Sequence, residues 1–254
     1  MSAKDIILKP ITSAEANALV RKIHYSKKVA PNSQIHIGVF YNGKLEGALQ
    51  FGPSMDKRKT QGLVKDTPWN GFIELNRMAF SDALPRNSES RAIGVALKML
   101  KKHAPHLEWV ISFADGTQCG DGTIYRASGF VLTSIKENKT ILKLPTGEIV
   151  ADKTLNNANH AITGKNASYW KRNGAEALEG FQLRYVYFLK PKAKERLTVP
   201  ILPFSNIEKA GAKMYKGSRP GSIISDVPDF LSGDSGAIPT SGLHPTQKDG
   251  DLLE

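Results

Sequence analysis

The spacing of apolar positions changes several times along the chain, and each change marks an element. Residues 5–11 alternate as a short strand. Thr12-Ser13-Ala14-Glu15 has capping-box spacing, and the alanines, Leu19, Val20 and Ile23 that follow form one stripe, which predicts a helix ending near His24-Tyr25-Ser26. Ile35 to Phe40 alternates, Asn42-Gly43 is a hairpin signal, and Leu45 to Phe51 returns as a strand. A basic loop, Lys57-Arg58-Lys59, precedes a central strand from Phe72 to Phe80. Ser88 to His103 carries Ile93, Leu97 and Leu100 on one helical face. Trp109 to Ala114 reads as a buried strand running into Asp115-Gly116. A glycine-rich turn, Gly120-Asp121-Gly122, then leads to a short helix holding Tyr125 and a strand from Gly129-Phe130. Residues 136–180 have weaker periodicity and read as an insertion, and Gln182 to Leu189 is a late strand.

This succession implies a mixed α/β fold, in which helices flank a central mixed sheet within residues 1–196. Pro, Gly and Ser become frequent over 197–254, which read as an extension, disordered from about residue 217. No apolar run is long enough to span a membrane, and the first residues do not form a signal peptide. Of the 254 residues 40% are hydrophobic, enough for one good core. Cys119 is the only cysteine, which excludes an internal disulfide and suits a reducing cytoplasm.

Charge adds a partner class. The formal charge is +11, with −4 from residue 217 onward and +15 on the preceding body. A body that basic attracts polyanions, although a solvated lysine-rich surface explains the same number.

Arg91-Ala92-Ile93-Gly94-Val95-Ala96 fits Arg/Gln-x-x-Gly-x-Gly/Ala at a helix start after a strand, where amides and a positive dipole end suit a pyrophosphate. A second strand then feeds Tyr125-Arg126-Ala127-Ser128-Gly129-Phe130. Together these features resemble the Gcn5-related N-acetyltransferase (GNAT) fold. The resemblance implies acetyl-CoA or another acyl-CoA held at Ser90, Arg91, Ala92 and Gly94, with Tyr125 protonating the departing thiolate. The approach to that loop, residues 81–90, is longer than usual and lacks flanking glycines.

Five motifs narrow the resemblance: His24-Tyr25-Ser26, Glu74-Leu75-Asn76-Arg77, Asn87-x-Glu89-Ser90-Arg91, Ser112-Phe113-Ala114-Asp115 and Gly122-Thr123-Ile124-Tyr125. In this order they resemble the Mom family of phage DNA-modification proteins, over roughly residues 15–190. The resemblance implies a transferase that attaches a carbamoylmethyl group to adenine and so protects phage DNA from host restriction enzymes. It places Arg77, Ser90, Asp115 and Tyr125 at the chemistry, and His24, Tyr25 and Asp115 around iron. A carbamoylmethyl group is joined through its methylene carbon, and a redox metal is one source of an activated carbon. The partner implied is double-stranded DNA with a flipped adenine, held by Lys27, Lys28, Lys57, Arg58 and Lys59. No membrane is implied, and a homodimer is allowed.

Plainer readings stand beside these. Arg77 could pair with Glu74 or Asp82, Tyr125 could be a packing residue, Ser90 a helix cap and His24 a structural histidine. A conventional GNAT acetylating a protein or small amine, and a non-catalytic DNA-binding module on the same fold, are the competing functions.

Overall fold

A computed structural model describes residues 2–116, 120–156 and 164–212. The chain divides into two units, 1–216 and 217–254, and all described residues belong to the first. The disorder expected from about residue 217 therefore lies outside the described residues.

A 3-10 turn, Ala3–Asp5, precedes strand β1 (Ile7–Pro10). Helix α1 (Ser13–Ile23) begins with the expected capping box: Thr12 Oγ1 accepts the Glu15 amide at 3.2 Å, and Glu15 accepts the Thr12 amide at 2.8 Å. β2 (Ile35–Tyr41) and β3 (Lys44–Gly52) form the hairpin, with Asn42 at φ 49° and Gly43 at φ 76°. Both turn residues need positive φ, which is why Asn-Gly occupies that place.

The stretch read as a basic loop is instead a short helix, α2 (Lys57–Gln61). Asp56 caps it by accepting the Lys59 amide at 3.2 Å. β4 (Phe72–Phe80), α3 (Ser88–His103), β5 (Trp109–Asp115) and α4 (Thr123–Ala127) follow in the order the acyltransferase resemblance implies. Next comes β6 (Val131–Glu137).

The expected insertion holds β7 (Ile141–Lys143), β8 (Ile149–Ala151), α5 (Asp152–Leu155), α6 (Ala167–Arg172) and β9 (Glu176–Ala177). Its strands pair as β8-β7-β9 around their own small core of Leu142, Leu144, Val150, Leu155 and Ala167. β10 (Phe181–Phe188), α7 (Pro191–Glu195) and α8 (Ser205–Lys209) complete the described chain. Leu197 bridges Val64, Leu202 bridges Leu132 and Ile207 is buried, so residues 197–212 pack onto the domain rather than leaving it at 196.

The main sheet runs β1-β2-β3-β4-β5-β10-β6, and within it only β4 and β5 pair in parallel. On one face, Ile93, Ala96, Leu97 and Leu100 of α3 bury against Leu49, Leu75, Val110 and Leu183. On the other, Phe72, Trp109, Ile111 and Val186 are covered by Leu63, Val64, Ala193 and Leu197. α1 packs on β2, β3 and β4, where Ala48 and Ala79 are cross-strand partners. Among the described residues no helix is long and apolar enough to cross a membrane.

Candidate active site

The parallel pairing of β4 with β5 lasts only from Phe72↔Trp109 to Glu74↔Ile111, although both strands continue. Beyond it the two strands no longer pair, which makes the space between their ends, at Phe80 and Asp115, the candidate cleft.

A β-bulge sits where the cleft begins. Phe51 pairs with Leu75 while Gln50 pairs with Arg77, so Asn76 is the extra residue of β4. Side chains alternate along a strand, so one extra residue exchanges the faces of all that follow. The packing records this exchange: Ile73 and Leu75 face the α3 core before the bulge, and Met78 and Phe80 face it afterwards. Arg77, which would otherwise enter that core, is turned to the opposite face beside Glu74. The guanidinium is then fixed by two carbonyls, Nε donating to Lys28 O at 2.9 Å and Nη1 to Asn76 O at 2.7 Å.

Glu74 is the titrating group next to it. Burial pushes its carboxyl above the usual range, against the opposing effects of Ser54 and Asn76 hydrogen bonds and the Arg77 charge. Ser33 Oγ donates to Asn76 Oδ1 at 3.1 Å, and Asn32 Nδ2 donates to Pro53 O at 2.8 Å. These bonds draw the α1–β2 loop and the β3–α2 loop together over the bulge. Gly52 makes that approach possible: a Cβ there would lie 2.5 Å from Asn32 O and 2.7 Å from Asn76 Oδ1.

His24, the C-cap of α1, is buried, and its pKa falls to about 4 through burial first and the Arg77 charge second. Its Nδ1 accepts the Ser26 amide at 3.1 Å, which places the neutral ring's proton on Nε2. Tyr25 packs its half-exposed ring on His24, with centroids 4.3 Å apart. Asp115 ends β5 on the same face of the sheet as Phe113, across the cleft from Arg77.

The iron expectation meets a chemical obstacle. Binding through Nε2 would require His24 to carry its proton on Nδ1, exchanging the Ser26 amide for the Ser26 hydroxyl 2.9 Å away as its partner, with the Arg77 charge acting on the same ring. Among the described residues no group of three or more His, Cys, Asp or Glu side chains is placed to hold a metal ion. Cys119 lies outside the described residues. The described residues thus give no support for iron at His24, Tyr25 and Asp115.

At the α3 start the fit to an acyl-CoA is better. Asn87 is left-handed, at φ 71°, and makes no side-chain cap. The Ser88 hydroxyl is buried and has no hydrogen-bond partner among the described residues, and the first-turn amides of Glu89 and Ser90 have no intrahelical acceptor. Ser90 Oγ donates to Asn87 O at 3.2 Å, so it ties the turn. Arg91 donates to Lys4 O at 3.3 Å, Ala92 is core, and a Cβ on Gly94 would meet nothing within 4 Å.

Tyr125 is buried, packed at tilted ring angles between Phe130 and Tyr185 with centroids 5.4 and 5.2 Å away. Burial raises the Tyr185 hydroxyl, which donates to Asp121 O. Gly122 starts this helix at φ 71°, and a Cβ there would lie 2.6 Å from the Tyr185 ring.

Of the expected DNA-binding residues, Lys27, Lys28, Arg58 and Lys59 are exposed. Lys57 is half-buried, 4.5 Å over the Trp69 ring and bonded to Asn70 at 3.0 Å. The structure thus brings His24, Tyr25, Lys28 and Arg77 together, and sets Ser90 and Tyr125 around α3 and α4. In the sequence Glu74 stands as a member of the Glu74-Leu75-Asn76-Arg77 motif and as a partner for Arg77, without a chemical role of its own. Its signal was a carboxylate in an apolar strand, three residues from an arginine.

The sequence matches the Mom protein family over residues 5–206. It is 36% identical over 202 residues to the methylcarbamoylase Mom of Escherichia phage Mu, covering 78% of this chain and 82% of the relative. The ribosomal-protein-S18-alanine N-acetyltransferase of Escherichia coli aligns in structure with a TM-score of 0.42 and 10% identity, covering 73% of this chain and 94% of that one. A Bacillus subtilis acetyltransferase in complex with CoA aligns with a TM-score of 0.40 and 12% identity, over 70% of this chain and 95% of that one. Likenesses this distant carry no inference about ligands.

Proposed function

The chain belongs to the Mom protein family, and from that premise we propose that it is a phage-encoded transferase acting on adenine in double-stranded DNA. It converts the base to a carbamoylmethylated form and protects the DNA from restriction in the host cytoplasm. The observation that carries the reading is the placing of Glu74 and Arg77 on one face of β4 by the bulge, near a loop and a short helix that bear exposed Lys27, Lys28, Arg58 and Lys59.

The exocyclic amine of adenine is conjugated with its ring, so it must shed a proton as the new bond forms. Glu74 is suited to take that proton, because a carboxyl raised by burial is a stronger base than one in water. Arg77, held by Lys28 O and Asn76 O, stabilises negative charge developing on the transferred group. His24 stays neutral and offers a hydrogen bond from Nε2. Asp115 faces the same cleft from β5. An acyl-CoA held at Ser90, Arg91, Ala92 and Gly94 would supply the acyl carbons, with the Tyr125 ring closing the wall behind it; its thioester activates the carbonyl carbon, so the methylene-linked product needs an activation of the neighbouring carbon that this helix start alone does not provide. No step runs through iron.

Co-expression with a plasmid, followed by nucleoside mass spectrometry, tests the reading. Modified adenine is expected with the native chain, and its loss is expected with Arg77→Ala or Glu74→Gln. Unmodified adenine from soluble, folded native protein would overturn the function.

A further inference from the structure

An enzyme that works on a stacked base must draw it out of the duplex, and the vacated step closes again unless something fills it. The inference below rests on the proposed action on duplex adenine. Met55 is the most exposed large apolar side chain described, at 79% of its full surface, yet its backbone lies on an ordered turn. On one side is Ser54, buried, with its hydroxyl 3.1 Å from Thr60 Oγ1. On the other is Asp56, which caps α2 through the Lys59 amide. An apolar side chain held out on such a turn gains little hydrophobic stabilisation from the fold, since it buries little surface.

Its position supplies a reason. The Ser54 hydroxyl also bonds the Glu74 carboxyl, so one residue separates Met55 from the group proposed to take the proton. α2 follows at once, and its exposed Arg58 and Lys59 lie where phosphates flanking an opened step would pass. Lys57 does not compete for that task, because Trp69 and Asn70 hold it back against the end of the same connection. On the insertion, Lys153 reaches within 3.4 Å of the Met55 sulfur and adds a further cation. The apolar tip thus has one lysine against it and two further exposed cations on the helix that follows, which suits a wedge into a polyanion better than an apolar protein partner.

We infer that Met55 is the wedge that enters the base stack of duplex DNA and holds it open while the extruded adenine sits against Glu74 and Arg77. Methionine suits this task because its unbranched thioether is flexible, polarizable and packs well on aromatic faces.

The test uses the full chain with Met55→Ala and Met55→Leu, both exposed changes that leave the core untouched. Plasmid adenine modification is measured first, and one modified sequence is then made as a duplex with 2-aminopurine at the target position. With Met55→Ala, modification is expected to fall about tenfold, and the fluorescence rise on binding should fall with it, while duplex affinity stays within about twofold. Met55→Leu should restore both signals. If Met55→Ala modifies plasmid and raises fluorescence as the native chain does, the wedge is refuted and the proposed function stands. If the native chain modifies no adenine, both are refuted.

Discussion

His24 and Glu74 are perturbed by the same burial in opposite senses, and their effects on stability run oppositely with pH. The folded pKa of His24 lies at about 4, below the unfolded value, so the unfolded chain binds the extra proton between about pH 6.5 and 4. Its contribution is complete above that window and is lost as pH falls; about 2 kcal/mol of it should be gone by pH 5. Urea midpoints at pH 7 and pH 5 measure this, and His24→Asn should reduce the difference, leaving the smaller effect of His36, also lowered by burial. Glu74 has a raised folded pKa, so its contribution is complete at low pH and is lost as pH rises above the unfolded carboxylate value. Glu74→Gln should therefore stabilise the protein at pH 7 while abolishing modification. Both the midpoint and the nucleoside assay are needed, since a stable, active Glu74→Gln chain would remove its role. Arg77→Lys should fail to rescue Arg77→Ala, because one ammonium cannot satisfy both Lys28 O and Asn76 O while facing the cleft.

At the scale of elements, the first turn of α3 and the β4 bulge set the two walls of the cleft. Gly94 lies inside a helix where a Cβ meets nothing, so Gly94→Ala should raise stability by about 0.5–1 kcal/mol through helix propensity alone. If that turn holds an acyl-CoA, the same change narrows the site, and activity should fall although the thermal midpoint rises. A Gly94→Ala chain with full activity would argue against a donor at this helix. Gly52→Ala should behave differently. Its Cβ would drive Asn32 and Asn76 apart, costing roughly 2 kcal/mol and loosening the loops that enclose Arg77. Stability and modification should decline together, read as thermal midpoint and nucleoside yield.

At the scale of the whole molecule, affinity for DNA should come from the surplus of positive charge and specificity from the buried site. Each phosphate contact contributes about one unit to the log–log slope of affinity against salt, so removing both Arg58 and Lys59 should lower that slope by about two. A slope unchanged in the double variant would move the DNA path elsewhere on the surface. The sequence alone determined the succession of elements, because spacing, capping and turn chemistry are local: Thr12 with Glu15, Asn42-Gly43, and the stripe from Ser88 to His103 all occur as read. It also named Arg77, through a short motif. Tertiary structure alone decided which way Arg77 points, since that depends on pairing Gln50 and Phe51 around Asn76, residues far apart in the chain. It likewise decided that Glu74 is a perturbed acid, that His24 presents a proton rather than a lone pair, and that Lys57 packs inward. Register, burial and the direction of a lone pair are set by what lies across the fold, and no local spacing encodes them.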